Sequence, residues 1–137
     1  MANRLYSLYK QSLLGAGVNL LTGTVKVQLV DTGAYTFSDT HQFLSLIPGA
    51  ARIGTAVTLA SKTVASGVFD AADIVFTSVP AGTSTAANVE ALVIYRDTGD
   101  ATTSDLIAFI DAATGLPFTP DGGNQNVTWP SAGIFNL

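Results

Sequence analysis

The sequence predicts a mainly β protein with an α+β character at its N-terminus: an antiparallel β-sandwich or barrel carrying one or two short helices. Three observations point there. Most of the chain after residue 50 falls into short apolar runs of strand length. Turn formers recur between those runs at regular spacing. Helical periodicity is confined to the first third of the chain.

The elements follow in order. Arg4 to Leu14 reads as a short helix, with Leu5, Leu8, Tyr9 and Leu13 on one face and Lys10 and Gln11 opposite. Asn3 is placed to cap its start, and Gly15 or Gly17 its end. From Thr24 to Asp31 the chain alternates, Val25, Val27 and Leu29 facing one way and Lys26 and Gln28 the other, as in a half-buried strand. Ser38 opens a second helical candidate running through Leu46, closed by Pro48-Gly49. Strands are expected at Ile53–Leu59, Val68–Val79, Val89–Arg96, Leu106–Asp111 and Asn126–Trp129, with a last short one at Ile134-Phe135. Turns are expected at Ser66-Gly67, Pro80-Ala81-Gly82, Asp97 to Asp100, Thr114-Gly115 and Asp121-Gly122-Gly123. Ala81 to Asn88 has no large side chain and is the expected mobile loop. No internal repeat and no linker divides the chain, so residues 1–137 read as a single β-rich structural domain.

Composition narrows the function. Hydrophobic residues make up 47%, but charged residues only 12%, about half the usual share. Ala, Thr, Ser and Gly fill the difference. Such a surface suits a protein that works against other protein, although a Thr/Ser-rich monomer has the same composition. With no cysteine, disulfide scaffolds and thiolate metal sites are excluded. The net charge is −4, and the basic residues Arg4, Lys10, Lys26, Arg52, Lys62 and Arg96 are scattered, which argues against a nucleic-acid partner. No apolar stretch approaches the ~20 residues of a membrane span, and Met1 to Tyr6 leads into no apolar signal-peptide region. The expectation is a protein made and used in a cytosol, with no membrane partner.

Several constellations could carry chemistry. Asp-Thr-Gly occurs twice, at Asp31-Thr32-Gly33 and Asp97-Thr98-Gly99. Leu29 to Ala34 looks like the active-site segment of retroviral-type aspartic proteases, in which two aspartates share one proton. The same tripeptide after a strand is also what a β-turn selects, and Arg52-Ile53-Gly54 is a poor and early match to the buttress such proteases need. The turn reading is preferred. His41 is the sole histidine and cannot build a His-rich metal site. Asp70 with Asp73, and Asp97 with Asp100 and Asp105, offer oxygens to a cation such as calcium but lack EF-hand spacing. Asn126-Val127-Thr128 is a chance sequon in a chain without secretion features, and Gly15-Ala16-Gly17 lacks the lysine of a phosphate loop. Trp129 before Pro130 fits a core plug or an interface anchor equally. No catalytic, cofactor-binding or metal residue is assigned, and no cofactor is expected.

A resemblance adds to this reading. It runs through Asn19-Leu20-Leu21-Thr22-Gly23-Thr24-Val25-Lys26-Val27, Leu29-Val30-Asp31-Thr32-Gly33-Ala34-Tyr35-Thr36 and His41-Gln42-Phe43-Leu44. It continues through Gly67-Val68-Phe69-Asp70-Ala71-Ala72-Asp73, Glu90-Ala91-Leu92-Val93-Ile94-Tyr95 and Ile110 to Pro117. In this order the segments resemble a family of small virion structural proteins of tailed bacteriophages. The resemblance implies a non-enzymatic virion component made in the host bacterial cytoplasm. A capsid decoration (cement) protein binding the major capsid protein of the assembled head is the first expectation, and a tail or tail-fibre component the second. A homo-oligomer is expected, a trimer by preference, because capsid sites offer three-fold axes.

Overall fold

A computed structural model describes residues 3–81 and 89–137. Of the expected mobile loop, residues 82–88 lie outside the described residues. In chain order the strands are β1 (Arg4–Leu5), β2 (Val25–Val30), β3 (Arg52–Thr58), β4 (Thr63–Ala65), β5 (Val68–Asp70), β6 (Ile74–Phe76), β7 (Ala91–Arg96), β8 (Leu106–Ile110), β9 (Gln125–Val127) and β10 (Phe135–Asn136). One α-helix, α1 (Ser7–Leu14), follows β1.

The centre is a five-stranded sheet in the order β1-β8-β7-β2-β3, antiparallel throughout. A three-stranded sheet, β10-β5-β4, and a two-stranded one, β6-β9, complete the β sheets of the described residues. The sheets stay open, so the architecture is an open sandwich and not a barrel.

Both faces of the central sheet are covered, which explains its nearly continuous apolar strands. Cross-strand register puts Val25, Val27, Leu29, Leu92 and Ile94 on one face. Phe69, Ile74, Phe76 and Val127 of the smaller sheets belong to the same hydrophobic cluster, and β6 lies against β3. The other face carries Val93 and Phe109, and here Tyr35 and Phe37 pack their rings on Phe109 at 6.4 and 5.1 Å. The segment between β2 and β3 is therefore the second cover. Burial on both faces accounts for the fate of Gln28, expected in solvent. It is 5% exposed, and its Nε2 donates to the carbonyls of Ile53 (2.8 Å) and Gly54. Those carbonyls are freed where the β2–β3 register slips between Val27 and Leu29, a bulge that Gly54 permits with φ +68°.

Four expectations change. The N-terminal helix starts at Ser7, because Arg4 and Leu5 pair with Phe109 and Ala108 and the Tyr6 N–H donates to Ile107 O. Asn3 does not cap the helix; its Oδ1 accepts from the N–H groups of Asp111 and Ala112, both at 3.0 Å, and ties down the end of β8. The helix start is held by Asp39, which accepts from Ser7 N–H at 3.2 Å and Ser7 Oγ at 2.5 Å. The second helical candidate is only a 3-10 turn at Leu44–Leu46, followed by another at Gly49–Ala51. Its backbone donors go elsewhere: Leu44 N–H to Ser104 O and Ser45 N–H to Ala101 O. The expected strand Val68–Val79 breaks at Ala71-Ala72-Asp73 into β5 and β6, and β4 was not anticipated. Ser66 and Gly67, with φ +50° and +79°, make the tight turn of the β4–β5 hairpin.

Candidate functional site

The two Asp-Thr-Gly segments are built as turns. Asp31 Oδ1 accepts from Gly33 N–H at 2.7 Å, and Asp97 Oδ1 accepts from Gly99 N–H at 3.0 Å. Each carboxylate closes its own Asx-turn. Asp97 also pairs with Lys26 Nζ at 2.8 Å, which holds its carboxyl below the usual carboxylate range and raises the Lys26 ammonium. Thr32 gives its N–H (2.9 Å) and its hydroxyl to Glu90 Oε2.

The carboxylates of the two candidate cation groups also have partners within the protein. Asp70 accepts from Ala71 N–H, and Asp73 accepts from Trp129 N–H at 2.8 Å. Asp100 accepts from the N–H and hydroxyl of Thr102, which lower its pKa, and Asp105 faces Arg96 at 3.6 Å. Among the described residues no group of three or more His, Asp or Glu could hold a metal ion. Trp129 is half-buried, packed against the core while its indole N–H donates to Ala72 O at 3.2 Å, so it is neither a full plug nor a free anchor.

His41 joins a polar chain that sequence reasoning did not find. Its Nδ1 lies 2.9 Å from Tyr35 Oη, which lies 3.0 Å from the buried Tyr6 Oη. Burial is the main cause raising both tyrosine pKa values. The chain satisfies two hydroxyls inside the aromatic cover of the sheet, a structural task. The depression beside it, about 410 Å³, is lined by Tyr35, Phe37, Phe109 and Glu90, and also by Thr32, whose hydroxyl is held by the Glu90 carboxylate.

The feature that stands out is apolar. A groove of about 260 Å³ runs between α1, the segment Val18–Leu21 and the β10-β5-β4 sheet, lined by Tyr9, Leu13, Leu21, Val64 and Leu137 among others. It continues past Leu13 into a second depression bounded by Leu5, Leu14 and Leu137. Leu14 is 90% exposed, Leu137 69%, and Leu21 and Val64 51% each. Four large aliphatic side chains are thus left in water along one side of the molecule. Among the described residues, Lys10 has the only charged side chain bounding the two depressions. The Tyr9 hydroxyl at the groove floor is buried without a hydrogen-bond partner among the described residues, and burial pushes its pKa up to about 12.

What this face can do chemically is exclude water against another apolar surface. The sequence signalled it through low charge, but the location follows from the fold, which brings helix, edge strand and C-terminal residues together. Among the described residues no helix is long and apolar enough to cross a membrane. The chain matches no protein-family model, and no curated protein is similar to it.

Proposed function

We propose that this chain is a non-enzymatic structural protein of a tailed-bacteriophage particle, acting as a decoration (cement) protein that binds the major capsid protein of the assembled head. The observation that carries the contact role is the apolar face of Leu14, Leu21, Val64 and Leu137 beside a groove almost without charge. A monomer free in solution gains nothing from such a face, whereas a protein held against protein buries it. The virion assignment comes from the sequence resemblance.

The test is the position of the chain in a particle. Purified, labelled protein is added to heads that lack it, and the complex is imaged. Density on the outer face of the capsid lattice, with Leu14→Asp weakening attachment about ten-fold or more, is the expected result. Density on the tail moves the protein to the tail or tail fibre. Absence from head and tail alike removes the virion role.

A further inference from the structure

Among the described residues, the hairpin β4–β5 leaves one strand edge open beside the apolar groove. Strand β4 is the outer strand of its sheet, and all three of its residues are exposed. Its pairing with β5 sets Ala65 opposite Val68, Val64 opposite Phe69 and Thr63 opposite Asp70. In a hairpin closed by a two-residue turn, the pair flanking the turn exchanges hydrogen bonds and the next pair does not. The backbone groups of Val64 and Phe69 therefore point away from each other. Phe69 follows this rule, its carbonyl accepting from Ile134 N–H at 2.8 Å on the β10 side. By the same rule the N–H and C=O of Val64 face outward.

Natural edges are guarded by charge, lysine above all. The lysine next to this edge, Lys62, is folded back, its Nζ donating to Gly23 O. Burial there lowers its pKa. The edge is left with Thr63, Val64 and Ala65 alone.

We propose that β4 pairs with β4 of a second copy of this chain, antiparallel across a two-fold axis at Val64, joining two three-stranded sheets into one of six. This rests on reading the apolar face as a protein contact. Two features favour a second copy as the occupant. An antiparallel strand opposite itself satisfies the Val64 N–H and C=O of both copies with one symmetric pair of bonds, an isologous contact that needs no other sequence. The surrounding face is nearly uncharged and so complements itself. Its exposed side chains, Leu14, Leu21, Val64 and Leu137, offer apolar area on each partner. The proposed pairing has a two-fold axis, where the sequence expectation was a three-fold one.

The chain has no cysteine, which makes position-specific cross-linking clean. Opposed Val64 residues would hold their Cα atoms ~5.5 Å apart, within disulfide reach. Under mild oxidation Val64→Cys should give a covalent dimer about ten-fold faster than Thr63→Cys or Ala65→Cys. Val64→Pro removes the outward N–H but none of the bonds to β5, so it should stay folded by circular dichroism and sediment as a monomer where the parent chain is a dimer. A parent chain that is monomeric at several hundred micromolar, a trimer, or equal cross-linking at all three positions overturns the proposal. If Val64→Pro fails to fold, the cysteine series decides. Attachment to particles is measured separately: a monomer that still decorates heads sinks the two-fold pairing alone, and a dimer that binds no particle sinks the virion role alone.

Discussion

Asp31 and Asp97 head the two copies of one tripeptide, yet they stand at opposite ends of the same strand pair. In the β2–β7 register Val25 lies opposite Arg96 and Val30 opposite Ala91. The two aspartates follow Val30 and Arg96, so a strand length of about 20 Å separates them. Proton sharing in a carboxylate dyad needs ~3 Å. The repetition arises because two antiparallel strands each end in a turn that wants the same residues.

Asparagine forms the same Asx-turn, so Asp31→Asn should change stability by less than about 0.5 kcal/mol. Thermal melts check this, with peptide-cleavage assays run alongside. A cleavage activity present in the parent chain and lost in a folded Asp31→Asn protein would contradict the non-enzymatic role.

The Lys26–Asp97 pair sets a pH dependence whose sign can be worked out. The folded pKa of Asp97 is depressed, chiefly by Lys26. Its stabilisation is present above the unfolded value near 4 and is lost as pH falls through the folded one. Lys26 is raised, so its share holds below about pH 10.5 and is lost above. Unfolded tyrosines ionise from about pH 10, whereas the buried Tyr6 and Tyr9 resist ionisation, so stability falls further at the alkaline end. Melting temperature should be flat for these groups between about pH 5 and 9.5. Asp97→Asn should remove the pair's part of the acid limb at a cost of no more than about 0.5 kcal/mol at neutral pH, since both side chains are partly solvated. An unchanged acid limb in the variant would show that the pair does not contribute.

The Tyr9 hydroxyl is the clearest candidate for a stabilising change. Buried at 1% exposure and unpartnered among the described residues, it has lost its water without gaining a bond. Tyr9→Phe keeps the ring against Phe135, whose centroid lies 6.3 Å away. The variant should be equal to the parent or up to about 1 kcal/mol more stable in chemical denaturation. A loss of more than 1 kcal/mol would mean that an ordered water serves the hydroxyl.

The central strands were legible because their pattern is self-contained. Runs such as Ala91 to Tyr95 and Leu106 to Ile110 bury every residue and read as strands in any context. Elements that depend on distant partners were not. Arg4 and Leu5 carry a helical pattern, yet β8 offers them a ladder. Leu44 and Ser45 spend their N–H groups on a loop some sixty residues away. Strand β4 has three residues, too few for periodicity. Of the candidate site, low charge foretold exposed apolar surface, but Leu14, Leu21, Val64 and Leu137 are scattered in sequence and meet only in the fold.

The N-terminal segment should be indispensable for folding, not merely for contact. An eight-residue helix is marginal in water, so α1 exists because it docks. Tyr6 is fully buried, packs its ring at a tilt against Phe37 at 5.0 Å and closes the hydrogen-bonded chain to Tyr35 and His41. Tyr9 reaches the other layer through Phe135. Each large aromatic removed from a core costs about 3–5 kcal/mol, so losing both approaches the whole 5–15 kcal/mol that holds a domain of this size. Deletion of residues 1–16 also strips β1 from β8 and exposes that edge. The truncated chain should therefore lack a cooperative melt and aggregate. Leu14→Ser provides the contrast. Leu14 is 90% exposed, so its replacement should leave the melt within about 0.5 kcal/mol of the parent and weaken only association. Melting curves and sedimentation of the two variants separate the roles, and a truncated chain that melts cooperatively at the parent's temperature would show that the segment is an appendage.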